Sequence, residues 1–376
     1  MQHVLRGRGS LNGANLAALM EALAMQKPML VCGRRMQETL AARMDVSWPV
    51  FGGYHPNPDL EDCVAGAELY REMGCDGLIS IGGGSAMDTA KGIKALLLTN
   101  DWSAVTRSEV PADTRLPHIA IPSTAGTGAE ATPFAVVYVK KKKLTINHPS
   151  LLPEATVLDS SLLDTLPQDQ RRACAMDVLA QGIESYWAVS ATQESRQYAV
   201  RAIRGVLRSY TAYLGGDFMA QEDMLDAAWQ SGMAITISRT TAAHALNYEL
   251  VKRRGYPHGL ACMMTLPVLW TRLARQQSMR PMLMEMLRNA GVSEFTDGAA
   301  MLRGMLVASN LDSLEPADDA LLDALTASVD VTKLTNHPEP LTSADVRQIY
   351  ADALTPIPDW ARESAVQAWR KACSMI

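Results

Sequence analysis

Short, almost wholly apolar runs alternate with amphipathic segments through residues 1–165, and then the alternation stops. Pro28–Cys32 (PMLVC), 77–81 (GLISI) and 118–121 (HIAI) are such runs, and 48–51 is a shorter one. A strand covered on both faces reads as a continuous apolar run, whereas a strand with one wet face alternates polar and apolar residues. Between the runs, 36–43 and 60–73 carry helical spacing, with Leu60, Val64, Ala67 and Tyr70 toward the buried side of the second. Strand alternating with helix implies a parallel sheet with helices on both faces. The apolar stretch 134–139 runs into four lysines at 140–143, which reads as an exposed hairpin turn.

From residue 166 onward helical patterns dominate, over 171–189, 194–213, 220–237 and 241–253, and later over 279–290, 299–309, 318–328, 343–353 and 358–374. We therefore expect an α/β domain over 1–165 and an all-α domain over 166–376. A chain of 376 residues fits two cores better than one. With no repeat or low-complexity linker, the halves are expected to share an interface whose cleft holds a small-molecule site.

Bulk properties exclude several classes. The chain is 48% hydrophobic and 20% charged, ordinary for a globular protein, and its net charge of −5 offers no basic surface to nucleic acid or a membrane. Its 6 cysteines are scattered without a CxxC pair, which fits a reduced, cytoplasmic protein. The polar start, MQHVLRGRGSLNGANL, lacks the apolar core of a signal peptide, and no apolar run approaches the ~18 residues of a membrane span.

Two loops carry phosphate chemistry. Gly82-Gly83-Gly84-Ser85-Ala86-Met87-Asp88 follows a predicted strand and opens a predicted helix. Glycines let the backbone approach a ligand closely, and a helix N-terminus offers N–H groups and partial positive charge to a phosphate. The spacing is neither GxGxxG nor a Walker A loop, and alone it equally suits a tight turn with Ser85 as N-cap. A second loop, Pro122-Ser123-Thr124-Ala125-Gly126-Thr127-Gly128, also follows a strand, where open α/β sheets bind ligands.

A metal-ligand pattern lies in the helical half. His244 falls on a predicted helix, and His258 sits in Tyr256-Pro257-His258-Gly259, which opens another. Asp177 and Gln181 stand four apart, on one face of an apolar helix. A buried carboxylate needs a cation or strong hydrogen bonds, and two histidines plus an acid make a plausible divalent-metal set. A structural role for each histidine is the plain alternative.

GGGSAMDTAK, PSTAGTGAE, the acid-led DVLAQGIESYW, the His244 and Pro257-His258-Gly259 pair, and His55-Pro56-Asn57-Pro58 together resemble the iron-containing (group III) alcohol dehydrogenase family, in order across most of the chain. The combination of IPSTAGTGAEATPFAVVYV, HPSLLPEATVLD, QGIESYWAVSATQESR and SRTTAAHALNY resembles the subgroup containing phosphonoacetaldehyde reductases, which make 2-hydroxyethylphosphonate. The resemblance implies a dehydroquinate synthase-like fold and reduction of a small aldehyde, or oxidation of a primary alcohol, by a homodimer using NAD(P)H and Fe2+ or Zn2+. By position the metal ligands fall on Asp177, Gln181, His244 and His258. Gln181 departs from the family, which usually has histidine there, and Tyr248 stands where a proton-relaying histidine often does. Gly83, Gly84 and Ser85 would hold the pyrophosphate with Asp88 nearby. Ser123, Thr124 and Thr127 would lie along the nicotinamide half, Lys143 would reach the nicotinamide ribose, and Asn57 the adenosine half.

The residue after the strand Pro28–Cys32 bears on NAD against NADP, because an acid there binds the ribose 2′-OH and repels a 2′-phosphate. Here it is Gly33, followed by Arg34 and Arg35, so NADP(H) is expected over NAD(H). A phosphonate substrate needs cationic or donor groups, for which Arg239 and then His148 are candidates. Two other readings compete: a glycerol-dehydrogenase- or dehydroquinate-synthase-like enzyme of the same fold, and a nucleotide-binding protein that has lost its metal. The TAGTG loop and the PHG motif argue against the first, and metal analysis with an NADPH-oxidation assay separates the second.

Overall fold

The computed structural model describes residues 2–44, 47–107, 109–111, 116–140, 142–294, 297–311 and 316–376. They form two compact units, Met1–Leu166 and Pro167–Ile376.

The first unit is built on a six-stranded, all-parallel sheet. Its strands β1 (His3–Arg6), β2 (Pro28–Cys32), β3 (Val50–Phe51), β4 (Gly77–Gly82) and β5 (His118–Pro122) are joined by a last one, Ala155–Leu158. An antiparallel hairpin, β6 (Phe134–Val139) and β7 (Lys142–Asn147), comes between, so that last strand is β8. The sheet order is β1-β8-β5-β4-β2-β3. Strands β2, β4, β5 and β8 are buried at every residue, which is why they read as apolar runs. The lysine run turns this hairpin, with Lys140 at a left-handed φ of 48° and Lys141 outside the described residues.

Alternate strand residues feed opposite faces of the sheet. Leu30, Cys32, Ile79 and Ile81 pack with α1 (Gly13–Ala22) and α2 (Arg34–Ala41). Met29, Val31 and Leu78 pack with α3 (Leu60–Glu72), α4 (Gly84–Thr99), the short α5 (Trp102–Thr106) and the hairpin. Helices thus cover both faces. Lys91 and Lys94 of α4 are also buried. The Lys91 ammonium donates to Ala129 O, Thr132 Oγ1 and Phe134 O at 2.6, 3.1 and 2.7 Å, pinning the second glycine loop's far end. Burial pushes its pKa down to about 8.

The second unit is wholly helical among its described residues. Its elements are α6 (Gln168–Trp187), α7 (Gln193–Leu214), α8 (Phe218–Ser238), α9 (Ala242–Arg254) and α10 (His258–Arg275), then α11 (Arg280–Asn289), α12 (Gly298–Ala308), α13 (Asp319–Ala327), α14 (Ser343–Ala353) and α15 (Asp359–Ser374). Helix α6 is buried at every residue from Ala175 to Trp187, the mark of a helix surrounded by others. It packs on α7, α8, α9, α10 and α11. Helix α10 continues through Pro267. Among the described residues no helix is long and apolar enough to cross a membrane.

Close approach of α3 and α4 depends on Gly92, where a Cβ would stand 2.4 Å from Cys63 Sγ. Gly92→Val should therefore overpack this face at a cost of about 1–3 kcal/mol. The expected result is a lower unfolding temperature by calorimetry, partly restored when Cys63→Ala is added. A Gly92→Val chain as stable as the parent would show that the two helices are not held at that distance.

Candidate functional site

Asp177, Gln181 and Glu184 sit at i, i+4 and i+7 on α6, one stripe of a fully buried helix. Glu184 is wholly buried, so its charge must be met by fixed donors. Its Oε1 accepts from Thr241 N, Thr241 Oγ1 and Ala243 N at 3.1, 2.6 and 2.7 Å. Those donors form the start of α9, so an acid on one helix caps another. Its Oε2 accepts from His244 Nδ1. That fixes the ring's tautomer and orientation and turns Nε2 toward Asp177, 3.2 Å from Oδ1.

His258 arrives from α10, with Nε2 3.6 Å from the same Asp177 oxygen. The approach needs Gly259, where a Cβ would lie 2.0 Å from Ala173 O and 2.9 Å from Asp177 Cβ. His258 is 43% exposed and His244 only 12%. One turn beyond His258, Cys262 joins the group, and the ligand atoms of Asp177, His244, His258 and Cys262 all lie within 4.8 Å of one another. The Asn247 amide lies 3.4 Å from His258 Nδ1 and donates to Cys262 Sγ at 2.7 Å.

The charges of these groups are interdependent. Burial pushes the Asp177 and Glu184 carboxyls up, but the facing imidazoles and hydrogen-bond donors outweigh it and hold both below the ordinary value. Burial opposes charge on His244, but Cys262 and Glu184 hold its pKa well above normal. Burial likewise pushes the Cys262 thiol up, and the two imidazoles bring it down to about 7. A carboxylate, two imidazoles and a thiol gathered in one place, buried except on the His258 side, are a fitting donor set for a divalent cation.

Asp177, His244 and His258, picked from sequence, therefore converge. Gln181 stands on the same stripe of α6: its Oε1 accepts from Ser231 Oγ at 2.8 Å, and its side chain also hydrogen-bonds Asp177. Tyr248, half-buried, follows His244 by one turn on α9, with Lys252 Nζ 5.8 Å from its ring centre. Arg239 is exposed at the turn between α8 and α9. Glu184 and Cys262 were not singled out from sequence. The signals were there, as an acid seven residues after Asp177 and a thiol four after His258.

In the first unit the two glycine loops face each other. A Cβ on Gly83 would stand 3.3 Å from the Thr124 side chain, and one on Gly84 3.2 Å from that of Thr127. Helix α4 begins after Gly83 with no side-chain cap hydrogen bond, so the turn is not capped by Ser85. Ser85 Oγ instead accepts from Asn57 N at 3.1 Å, with Asn57 at a left-handed φ of 58°. Ser123 N donates to Gly82 O at 2.8 Å, tying the loops together. Burial pushes the Asp88 carboxyl up against the pull of Lys91, the Val136 N–H and Lys143. Gly33 stands at the N-cap of α2, and Arg34 is exposed and paired with Glu38 at 2.9 Å. His148 is occupied in capping a turn, its Nδ1 accepting from Ser150 N at 3.2 Å.

The family described as iron-containing alcohol dehydrogenase matches residues 2–160, and its C-terminal counterpart matches residues 172–354. The chain belongs to the iron-containing alcohol dehydrogenase family. Among its relatives, probable alcohol dehydrogenase EutG of Escherichia coli (strain K12) is 36% identical over 227 residues, 59% of this chain and 57% of that protein. Phosphonoacetaldehyde reductase of Streptomyces viridochromogenes is 34% identical over 227 residues, 56% of this chain and 57% of that protein. The chain thus spans less than two thirds of the length of these curated relatives in the matched region. Among solved structures, sulfoacetaldehyde reductase from Bifidobacterium kashiwanohense, in complex with NAD+, superposes with a TM-score of 0.85 at 26% identity, over 93% of this chain and 96% of that one.

In this family member the carboxylate of Glu184 should matter more than its shape. Glu184→Gln is expected to weaken bound divalent metal about 10–100-fold, as loss of a ligand-orienting partner does. Chelator competition reads the affinity and circular dichroism the fold. Unchanged affinity in a folded variant would show that Glu184 does not orient His244.

Proposed function

We propose that this chain is a metal- and nicotinamide-dependent reductase of small aldehydes, working in reverse as an alcohol dehydrogenase. The observation that carries the reading is the convergence of Asp177, His244 and His258, from three different helices, on one centre. A divalent cation such as Fe2+ or Zn2+ bound there supplies electrophilic pull on the aldehyde oxygen, and the nicotinamide supplies hydride. Asp177 contributes the negative charge, and His244 presents an Nε2 held in place by Glu184. His258 closes the set from the more exposed side. Tyr248 is our candidate for passing a proton to the product oxygen through its hydroxyl.

For the dinucleotide we assign Gly83, Gly84 and Ser85 to the pyrophosphate, where side chains in place of the glycines would fill the space beside Thr124 and Thr127. Asp88 lies nearby, Ser123, Thr124 and Thr127 serve the nicotinamide half, and Lys143 its ribose. Asn57 serves the adenosine half, and Gly33 with Arg34 the adenosine ribose. The lack of an acid at Gly33 favours NADPH over NADH, although Arg34 must first exchange Glu38 for a 2′-phosphate. For the substrate we favour phosphonoacetaldehyde, reduced to 2-hydroxyethylphosphonate, with exposed Arg239 as the cation for its phosphonate. The likeness to a phosphonoacetaldehyde reductase supports this choice.

NAD(P)H oxidation with a panel of small aldehydes tests the activity. Chains loaded with Fe2+ or Zn2+ should turn over, chelation should abolish it, and His244→Ala should lose both turnover and bound metal. Full activity in a metal-stripped preparation would refute the reading. An advantage of phosphonoacetaldehyde over uncharged aldehydes should disappear in Arg239→Ala.

On the cofactor side, kcat/KM should be higher with NADPH, and Arg34→Ala should shrink that preference about tenfold, the weight of one charge-assisted hydrogen bond at an exposed site. Equal or better kcat/KM with NADH in the unaltered chain would overturn the preference.

A further inference from the structure

We propose that Cys262, not Gln181, completes the cation site, as a thiolate ligand, and that this biases the site toward Zn2+. The inference rests on the reading of this centre as a metal site. Cys262 and His258 stand one turn apart on α10, so both project from one face of the helix. Four ligand atoms placed tetrahedrally at ~2.0–2.3 Å from a cation are separated by roughly 3.3–3.8 Å. Three of the six edges are 3.2 Å from His244 Nε2 to Asp177 Oδ1, 3.6 Å from His258 Nε2 to the same oxygen, and 3.9 Å from Cys262 Sγ to His258 Nε2, and all six lie within 4.8 Å, a spread that a bound cation would draw in.

Gln181 is less suited. Its oxygen already accepts from Ser231 Oγ, and its side chain hydrogen-bonds Asp177. The second lone pair of that oxygen would give a cation only a neutral amide contact, weaker than a thiolate. The Cys262 sulfur, by contrast, is buried and receives an N–H from Asn247, a bond that favours the thiolate. Where the family usually has an imidazole at Gln181, this chain offers a sulfur from a different helix. A soft thiolate favours Zn2+ over Fe2+. Binding converts the thiol to thiolate, its proton passes to solvent as the S–metal bond forms, and no oxidant takes part.

The test uses the full chain. After metal removal, Co2+ serves as the optical probe. The unaltered chain should show near-ultraviolet thiolate-to-cobalt absorption, Cys262→Ser should lose it, and Gln181→Ala should keep it. Competition with a chelator should show Zn2+ held at least about tenfold more weakly by Cys262→Ser. X-ray absorption of the unaltered, Zn2+-loaded chain gives an answer even if that variant fails to fold: a sulfur neighbour at about 2.3 Å is expected. Zn2+ bound only by nitrogen and oxygen, and still lost in His244→Ala, would sink the thiolate assignment and leave the metal-dependent reductase standing. An unaltered chain that binds no divalent metal would sink both.

Discussion

The buried carboxylate of Glu184 is the interaction on which the helical unit's chemistry depends. An acid with no solvent contact is tolerated only when its lone pairs are met, and here three donors from the start of α9 share one oxygen while His244 takes the other. The same group therefore does two tasks that cannot be separated. It sets where α9 begins, and it sets which nitrogen of His244 faces Asp177. A side chain that only capped the helix would leave the ring free to rotate, and one that only held the ring would leave α9's first amides unmet.

Glycines then decide how near the other ligands come. Gly259 follows His258 directly, and its missing Cβ is what allows α10 to press on the backbone of α6 beside Asp177. In the first unit, Gly83 and Gly84 leave room beside Thr124 and Thr127, and Lys91 holds the end of the threonine loop from within α4. The two sites are thus built in one style. A buried charge fixes a loop or helix start, and glycine removes the side chain that would keep the next element away.

Much of this was legible in the chain, for identifiable reasons. Strands β2, β4 and β5 are buried on both faces, so they announce themselves as apolar runs. Strand β1, His3–Arg6, is a sheet edge with exposed ends, and β8 has only four residues, so neither stands out by pattern. Asp177 is conspicuous as an acid on an apolar helix, whereas His244 and His258 stand out through the resemblance of the His244 and Pro257-His258-Gly259 pair to the family's motifs. Glu184 was equally conspicuous by that rule, but its partners are backbone N–H groups about sixty residues away, which no spacing reveals. Cys262 was hidden by a different habit. As one of six scattered thiols it speaks of redox compartment, and only its spacing of four from His258 along α10 sets it beside the histidines.

The turn that delivers His244 carries a conformational cost that the surrounding bonds explain. Arg239 has φ 62° and ψ 175°, a region that is nearly glycine's alone and costs a larger residue about 1–3 kcal/mol. Asn336 Nδ2 donates to Ser238 O and Thr240 O at 2.8 and 2.9 Å, on either side of the strained residue. Ser190 Oγ adds a bond to Ser238 O at 2.5 Å, and Ser238 Oγ one to Arg239 O at 3.0 Å. The Ser190 and Ser238 hydroxyl protons also have Asn336 Oδ1, Ser185 Oγ and Ala234 O within reach, so the two Asn336 bonds, at about 1 kcal/mol net each, carry most of the offset to the strain. The strain lies immediately before Thr241, the first donor to Glu184. Relaxing Arg239 would swing that donor away, so the distortion and the carboxylate's placement stand or fall together. An arginine kept in this conformation also projects from a fixed backbone, five residues ahead of His244, which is what a cation recruited for an anionic substrate would require.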